Sequence, residues 1–466
     1  MRKKIISIFV GYQSFENHYA SDFFEVPQEF DMLVWHNVKS SALEKLPNSI
    51  QTQQLPSFDY QGKTDFLRYL KAKTTLRYND KVQARKDHLL YRVSPGKSNL
   101  KKKLKFDIIS FLSRFYASKS GIQKLEDKFF KQTRISNYYK ECLAYLKAEK
   151  PDIIYCSHQV SSLSLAPVLA ARDLGIPVVS FIHSWDNLPK GNKMLKADHY
   201  FVWSDYMNAE MQQYYTDEVN ENKITVTGTP QFACYTQSEY LIEKDLFYNA
   251  YKLPKDKKLL CFSGNFTSIG MDDPLYLKDL AEAVKAHNQT NTEQYHVILR
   301  ANPADYNQGF IPILAHYKDV ITEVIPTWNH EEFPLPETYK VNSNLGVLYS
   351  TLQYSSAIFN IGSTMALDAI LLGKPAYYCH YKQPNGHKDF NIDRLYQFVH
   401  FKTFDKHPKA VHILQSKNQI INMLQDFDTL EVQNREERKK WAESIAAHPL
   451  ENVQQRMYTA FQNLLS

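Results

Sequence analysis

Ile358-Phe-Asn-Ile-Gly-Ser-Thr-Met-Ala-Leu-Asp-Ala-Ile-Leu-Leu-Gly-Lys-Pro375 is the stretch on which the fold turns. Ile358 to Ile361 has the length and character of a buried strand. Gly362 ends it, Ser363 is a good helix cap, and Thr364 to Leu372 predicts a helix closed by Gly373 and Pro375. Ala376 to Tyr378 then predicts the next strand. Strand, tight turn, helix and strand form the repeating unit of a parallel sheet. The Gly-Ser-Thr turn offers backbone N–H groups and two hydroxyls at a helix N-terminus, a place suited to a diphosphate. The alternative is an ordinary strand-turn-helix with a good cap.

The same alternation extends on both sides. Leu259 to Phe262, Val297 to Leu299 and Val320 to Ile325 predict strands, with helices over Leu275 to Ala286 and Leu345 to Ser355. Earlier in the chain, strands are expected at Lys4 to Val10, Met32 to Trp35, Ile153 to Cys156, Val178 to Ile182, His199 to Trp203 and Ile224 to Thr227. Ser161 to Leu174 is an apolar helix stopped by Gly175. The expected class is α/β: two Rossmann-like domains facing a central cleft. The first spans 1–240 and carries a helical insertion at about 60–150, a region rich in Lys, Arg, Tyr and Leu with few breakers. Polar residues at about 236–257 bridge to a second domain at 255–440. A charged helical tail follows at 441–466.

Composition narrows the function. The formal charge of +6 (56 Lys and Arg against 50 Asp and Glu) is too small for a nucleic-acid binder. Cys142, Cys156, Cys234, Cys261 and Cys379 include no C-x-x-C pair and are expected to be buried in a reducing compartment. The first apolar run is too short for a signal peptide, so the expected location is cytoplasmic. P-loop, G-x-G-x-x-G, H-E-x-x-H and G-x-S-x-G patterns are all missing, and no acid pair suited to a catalytic metal follows a strand. The run Lys97 to Phe106, followed by Ile108, Ile109, Phe111 and Leu112, is either a basic amphipathic contact with an anionic membrane or a solvated helix face.

Candidate chemistry collects where strands end. His183-Ser-Trp-Asp-Asn-Leu-Pro-Lys-Gly191 follows one strand and holds an imidazole, an indole, a carboxylate and a cation. Asp186 is the expected general base toward a sugar hydroxyl, with His183 sharing or orienting that task. Trp185 either stacks on a sugar or fills the core, and Lys190 could meet phosphate charge. After the first strand, Gly11, Glu16 and His18 sit in a polar loop as candidate acceptor contacts, as does His158 after another strand. Thr229 lies in Thr227-Gly-Thr-Pro230, a turn or a donor contact. Arg300 is placed for a phosphate or a surface salt bridge, and Gly264 and Asn265 for close approach to a ligand.

In this order, the motifs from Ser157 to Pro177, the His183 loop, Val226 to Pro230, Arg300 with Pro303, and Gly362-Ser-Thr with Gly373-Lys-Pro375 resemble the GT-B glycosyltransferase superfamily. The likeness is strongest to bacterial surface-polysaccharide transferases related to UDP-N-acetylglucosamine 2-epimerase and the CDP-glycerol glycerophosphotransferases. It covers about residues 150–235 and 258–380. It implies a nucleotide-sugar donor on the second domain, its diphosphate near Gly362, Ser363 and Thr364, and an acceptor glycan or lipid-linked sugar on the first. It implies no cofactor, no catalytic metal, and a last helix, at 441–466, that packs back on the first domain. There are departures: Asn302 stands where relatives carry His, and Asp368 is the nearest acid where many carry a ribose-holding Glu. The residues after His183 are not the Glu-Ala-Gly of the epimerases. A CDP-polyol transferase, an epimerase and a non-catalytic scaffold are the alternative readings.

Overall fold

β1 (Lys3–Phe9) is an almost unbroken apolar run, and Ile5, Ile6, Ile8 and Phe9 are wholly buried. Burial on both faces is what such a run needs, and parallel strands flanked by helices supply it. The computed structural model describes the chain except residues 1, 59–61, 85–86, 92–99, 216–218, 303–304 and 326–342. Pro303 and the start of the basic run at Lys97 lie outside the described residues.

The chain divides into two units. Unit 1 comprises Met1–Ala233, Phe398–His400 and Ser444–Ser466; unit 2 comprises Cys234–Gln397 and Phe401–Glu443. The sheet of unit 1 adds β2 (Phe30–His36), β3 (Gln51–Gln54), β4 (Ile153–Cys156), β5 (Val178–Phe181), β6 (His199–Val202) and β7 (Ile224–Val226) to β1. All its pairings are parallel, in the order β3-β2-β1-β4-β5-β6-β7. The order reverses between β1 and β4, and such a switch point opens a crevice at the strands' carboxyl ends. The segment after β1, expected to be a loop, is the helix Tyr12–Tyr19, because Phe15 docks on Phe9 and Phe24 and pulls the segment onto the sheet.

Helices Lys63–Val82, Leu100–Phe115, Lys119–Arg134 and Asn137–Glu149 lie between β3 and β4 in the chain. The hydroxyls of Ser118 and Ser136 cap the last two by accepting from Gly121 N and Tyr139 N. A buried charge cluster joins this block to the sheet. Glu126 lies 2.6 Å from Lys71 Nζ and 2.6 Å from Lys196 Nζ, and Lys71 also donates to the Lys193 carbonyl at 2.8 Å. Burial alone would raise the Glu126 carboxyl, but Lys71, Lys193 and Lys196 outweigh it and hold it at about 2. The helix Val453–Leu465 completes unit 1, with Phe461 against Tyr155 and Phe201 and the Tyr458 hydroxyl on the Phe23 carbonyl.

Unit 2 is built around β8 (Lys258–Ser263), β9 (Tyr295–Arg300), β10 (Ile321–Glu323), β11 (Ser355–Asn360), β12 (Ala376–Cys379) and β13 (His412–Leu414). The order is β10-β9-β8-β11-β12-β13, again wholly parallel, with its switch point between β8 and β11. The expected polar bridge at 236–257 is instead part of this unit's core. Phe247, Tyr248 and Tyr251, on and just after the helix Lys244–Ala250, pack with Ile242, Leu259 and Ile298. All five cysteines are buried and unpaired by disulfides. Among the described residues no helix is long and apolar enough to cross a membrane.

Candidate functional site

In unit 1 the strand β5 runs directly into the His183 loop. Trp203 Nε1 pins the loop's root by donating to the Ile182 carbonyl at 2.7 Å. The Asn187 side chain then bridges it, accepting from Ser184 N at 3.1 Å and from Gln159 Nε2 at 3.2 Å. Leu188–Lys190 forms a single 3₁₀ turn that closes at Gly191, whose φ of 66° lies in the left-handed region. A Cβ there would also stand 3.0 Å from Leu76 of the Lys63–Val82 helix, so glycine lets the loop dock on that helix.

This scaffold fixes Asp186 and His183 in different states. Asp186 Oδ1 accepts from Ser184 Oγ at 2.8 Å and Asn187 Nδ2 at 3.3 Å, and Oδ2 pairs with Lys190 Nζ at 2.5 Å. Burial pushes its carboxyl up, but Lys190, His400 and Ser184 pull it well below the usual carboxylate range. Such a carboxylate is charged, fully engaged and a weak base. The His183 ring stacks on His158 with centroids 3.9 Å apart. Burial, then the neighbouring His158, pushes His183 well below 6.5, and burial lowers His158 to about 4. Both rings are therefore neutral at pH 7, and a neutral imidazole can accept a proton. The backbone N–H of His183 donates to Gln159 Oε1 at 2.9 Å, tying the two strand ends together.

The remaining unit 1 candidates divide. Lys190 is engaged by Asp186. Trp185 is buried edge-on to His400 at 5.2 Å, so it fills the core instead of offering a face to a sugar. His18 is also buried, bonded to Tyr155 Oη and the Ser14 carbonyl at 2.7 Å each and enclosed by Phe9, Phe23 and Phe181. That environment gives it a packing role in place of the expected acceptor contact. Glu16 is buried beside Tyr12, while Gly11 borders open space. Thr229 accepts from Gln231 N, and the Arg456 guanidinium donates to the Thr227 carbonyl at 2.7 Å, which makes this segment a structural turn. Two residues of this neighbourhood carried no local signal: His400, which arrives from far along the chain, and Glu210. Glu210 is buried on the helix Asp205–Tyr214, and burial raises its carboxyl to about 8.

In unit 2 the switch point gathers Ser263, Arg300 and the Gly362 turn. The expected outward-facing N–H groups are already used. Asn360 Oδ1 accepts from Gly362 N at 2.7 Å and Ser363 N at 2.8 Å, an Asx turn that neutralises the anion cradle read from the sequence. Ser363 Oγ accepts from Met365 N at 3.3 Å and lies 3.5 Å from Ser263 Oγ. The helix starts one residue late, at Met365–Leu371, with Thr364 as an exposed cap residue. Gly362 has φ 132°, and a Cβ there would meet Phe401 at 2.8 Å.

Arg300 is buried, which excludes the surface salt bridge. Its Nη1 has no hydrogen-bond partner among the described residues. Burial lowers its pKa, partly offset by Cys261, Tyr251, Tyr235 and Asp368. Asp368 accepts from Tyr235 Oη at 2.7 Å, so its carboxylate serves the interior of unit 2. A Cβ at Gly264 would stand 3.2 Å from the Phe310 ring, and Asn265 donates to the buried Asp273 through both its N (2.6 Å) and Nδ2 (3.2 Å). These two residues brace the loop rather than reach outward. Burial raises Asp273 to about 7.

Two doubly wound parallel units in one chain, each with polar side chains at its switch point, define an architecture. The chain has the GT-B fold. Among solved structures it is similar to the UDP-GlcNAc 2-epimerase from Methanocaldococcus jannaschii (11% identical, TM-score 0.55, covering 98% of this chain and 99% of that one). It is similar too to the UDP-GlcNAc 2-epimerase of Neisseria meningitidis bound to UDP-GlcNAc (10% identical, TM-score 0.55, 99% and 100% covered). The family model for Glycosyltransferase Family 4 matches residues 127–229, which include His158 and the whole His183 loop. A processive diacylglycerol beta-glucosyltransferase of Bacillus cereus (strain 03BB102) is 29% identical over 151 residues, 30% of this chain. Those residues span only 34% of that relative's length.

Proposed function

We propose that this protein is a hexosyltransferase-like glycosyltransferase. It moves a sugar from a nucleotide-sugar donor to a glycan or lipid-linked acceptor, in the building of a bacterial surface polysaccharide on the cytoplasmic side of the membrane. The observation that carries the reading is the His183 loop: a neutral, partly exposed imidazole at the carboxyl end of a parallel strand, beside a carboxylate locked by three partners. In this reading His183 takes the acceptor hydroxyl's proton, and the ion-paired Asp186 holds the loop in shape and favours the imidazolium that forms. The family match over residues 127–229 and the lipid substrate in the curated relative's name both support it.

Unit 2 holds the donor in this proposal. The buried Arg300 guanidinium supplies positive charge to the leaving diphosphate, with the Ser363 and Thr364 hydroxyls beside it, so the reading assigns no role to a metal. The test is a thermal-shift panel of UDP, CDP, GDP, CMP, dTDP and ADP on the wild type and Arg300→Met, followed by transfer assays with the sugar of the nucleotide that binds. One nucleotide is expected to raise the melting temperature in the wild type and much less in the variant. Nucleotide diphosphate should be released only when an acceptor is present. Release of an epimer without acceptor, a CDP-alcohol as the active donor, or no nucleotide binding at all would replace the reading.

A further inference from the structure

The helix Leu100–Phe115 is built inside out. Its inward face is small and partly polar: Ile109 and Ser113 are buried, and Arg77 from the neighbouring Lys63–Val82 helix donates to Ser113 Oγ at 2.7 Å and Ser110 Oγ at 3.2 Å. Its outward face is apolar. Leu100, Leu104, Ile108, Phe111 and Phe115 are 86%, 62%, 44%, 56% and 71% exposed. At 3.6 residues per turn these five fall within an arc of about 80°, roughly opposite Ile109 and Ser113. Phe111 and Phe115 pack edge to face at 5.1 Å, so they form one surface.

Charge frames the stripe. Lys101, Lys103 and Arg114 are exposed to either side of it, against a single exposed acid on this helix, Asp107. A helix with a continuous apolar face bordered by lysines matches a membrane surface: side chains enter the acyl boundary while ammonium groups meet anionic headgroups. A protein partner would match the apolar stripe but gives no reason for the lysine cluster at its N-terminal end.

We infer that the Leu100–Phe115 helix is the face by which unit 1 lies on an anionic lipid bilayer. The inference stands independently of sugar transfer. If both hold, the acceptor is lipid-linked and met in the plane of the bilayer.

The test is co-flotation of the purified full chain with phosphatidylcholine vesicles and with phosphatidylglycerol-rich vesicles, at low and high salt. The wild type should float with the phosphatidylglycerol vesicles and detach at high salt. Lys101→Gln/Lys103→Gln should weaken binding on the order of twenty-five-fold, at about fivefold per lysine. Leu104→Asp/Phe111→Asp should abolish it while leaving the melting temperature and nucleotide binding unchanged, since both side chains are exposed. Failure of the wild type to bind either vesicle overturns the inference, as does undiminished binding by Leu104→Asp/Phe111→Asp. A lipid-free dimer that this double variant dissociates, with no vesicle binding, would assign the face to a second copy and overturn it too.

Discussion

Glu126→Gln tests whether the helical block holds the His183 loop in place. In the folded chain Glu126 sits among Lys71, Lys193 and Lys196, and its carboxyl is held at about 2 instead of 4.5. That difference is worth about 3 kcal/mol at neutral pH. A folded value below the unfolded one means the contribution is complete above pH 4.5 and is lost as pH falls toward 2. The amide keeps the shape but leaves the buried Lys71 ammonium without a counter-charge, and breaking such a pair costs about 3–5 kcal/mol. For a unit of this size, a loss of about 3 kcal/mol lowers the melting temperature by about 10 °C. Differential scanning calorimetry should show the unit 1 transition falling by that amount at pH 7, with the unit 2 transition unmoved. The gap between wild type and variant should narrow as the pH is taken from 5 toward 3, when the wild-type carboxyl begins to take up protons. Lys71→Met combined with Glu126→Gln should recover part of the loss, because the most deeply buried ammonium is then gone while Lys196 keeps its hydrogen bond to Gln123. An unshifted transition at pH 7, or a gap that widens in acid, would refute the argument.

His183→Ala should lower kcat about 10²- to 10⁴-fold with little change in nucleotide affinity, measured by initial rates and calorimetry. In the wild type kcat/KM should stay level down through pH 6.5 and fall only in more acid solution; His158→Asn should move that fall to higher pH, since His158 helps depress His183. Gly362→Ala places a Cβ at φ 132° and 2.8 Å from Phe401, so it should cost unit 2 about 1–3 kcal/mol, read as a lower urea midpoint.

Much of the fold was legible because buried parallel strands advertise themselves. Ile153 to Cys156, Leu259 to Phe262 and Ile358 to Ile361 are apolar runs between breakers, and each is a strand within a residue or two of its expected ends, apart from the start of the last. Gln51–Gln54 was missed because it is an exposed edge strand of four polar residues, whose only reason to be a strand is its pairing with β2. The polar composition of 236–257 hid three aromatic anchors, since whether Phe247 or Tyr251 is buried depends on what stands opposite. The chemical site was half legible. Histidines and an aspartate after a strand marked the His183 loop, but burial and the more distant His158 and His400 join the loop's own Lys190 and Ser184 in setting their states.

The amino-acid sequence by itself determined where strands end, and with them the short list of places where chemistry could sit, because local apolar runs and breakers act within a few residues. Tertiary structure decided which of those groups are usable. His18 and Trp185 are ordinary polar-tipped side chains until packing encloses them. Asp186 looks like a base until Lys190, Ser184 and Asn187 claim it. The Gly362 turn looks like an anion cradle until Asn360 fills it. Burial and the contacts with His158 and His400 belong to assembled neighbours that no stretch of chain carries alone, whereas the partners that claim Asp186 and the Gly362 turn stand within four residues of them, and only the folded loop shows that they are used.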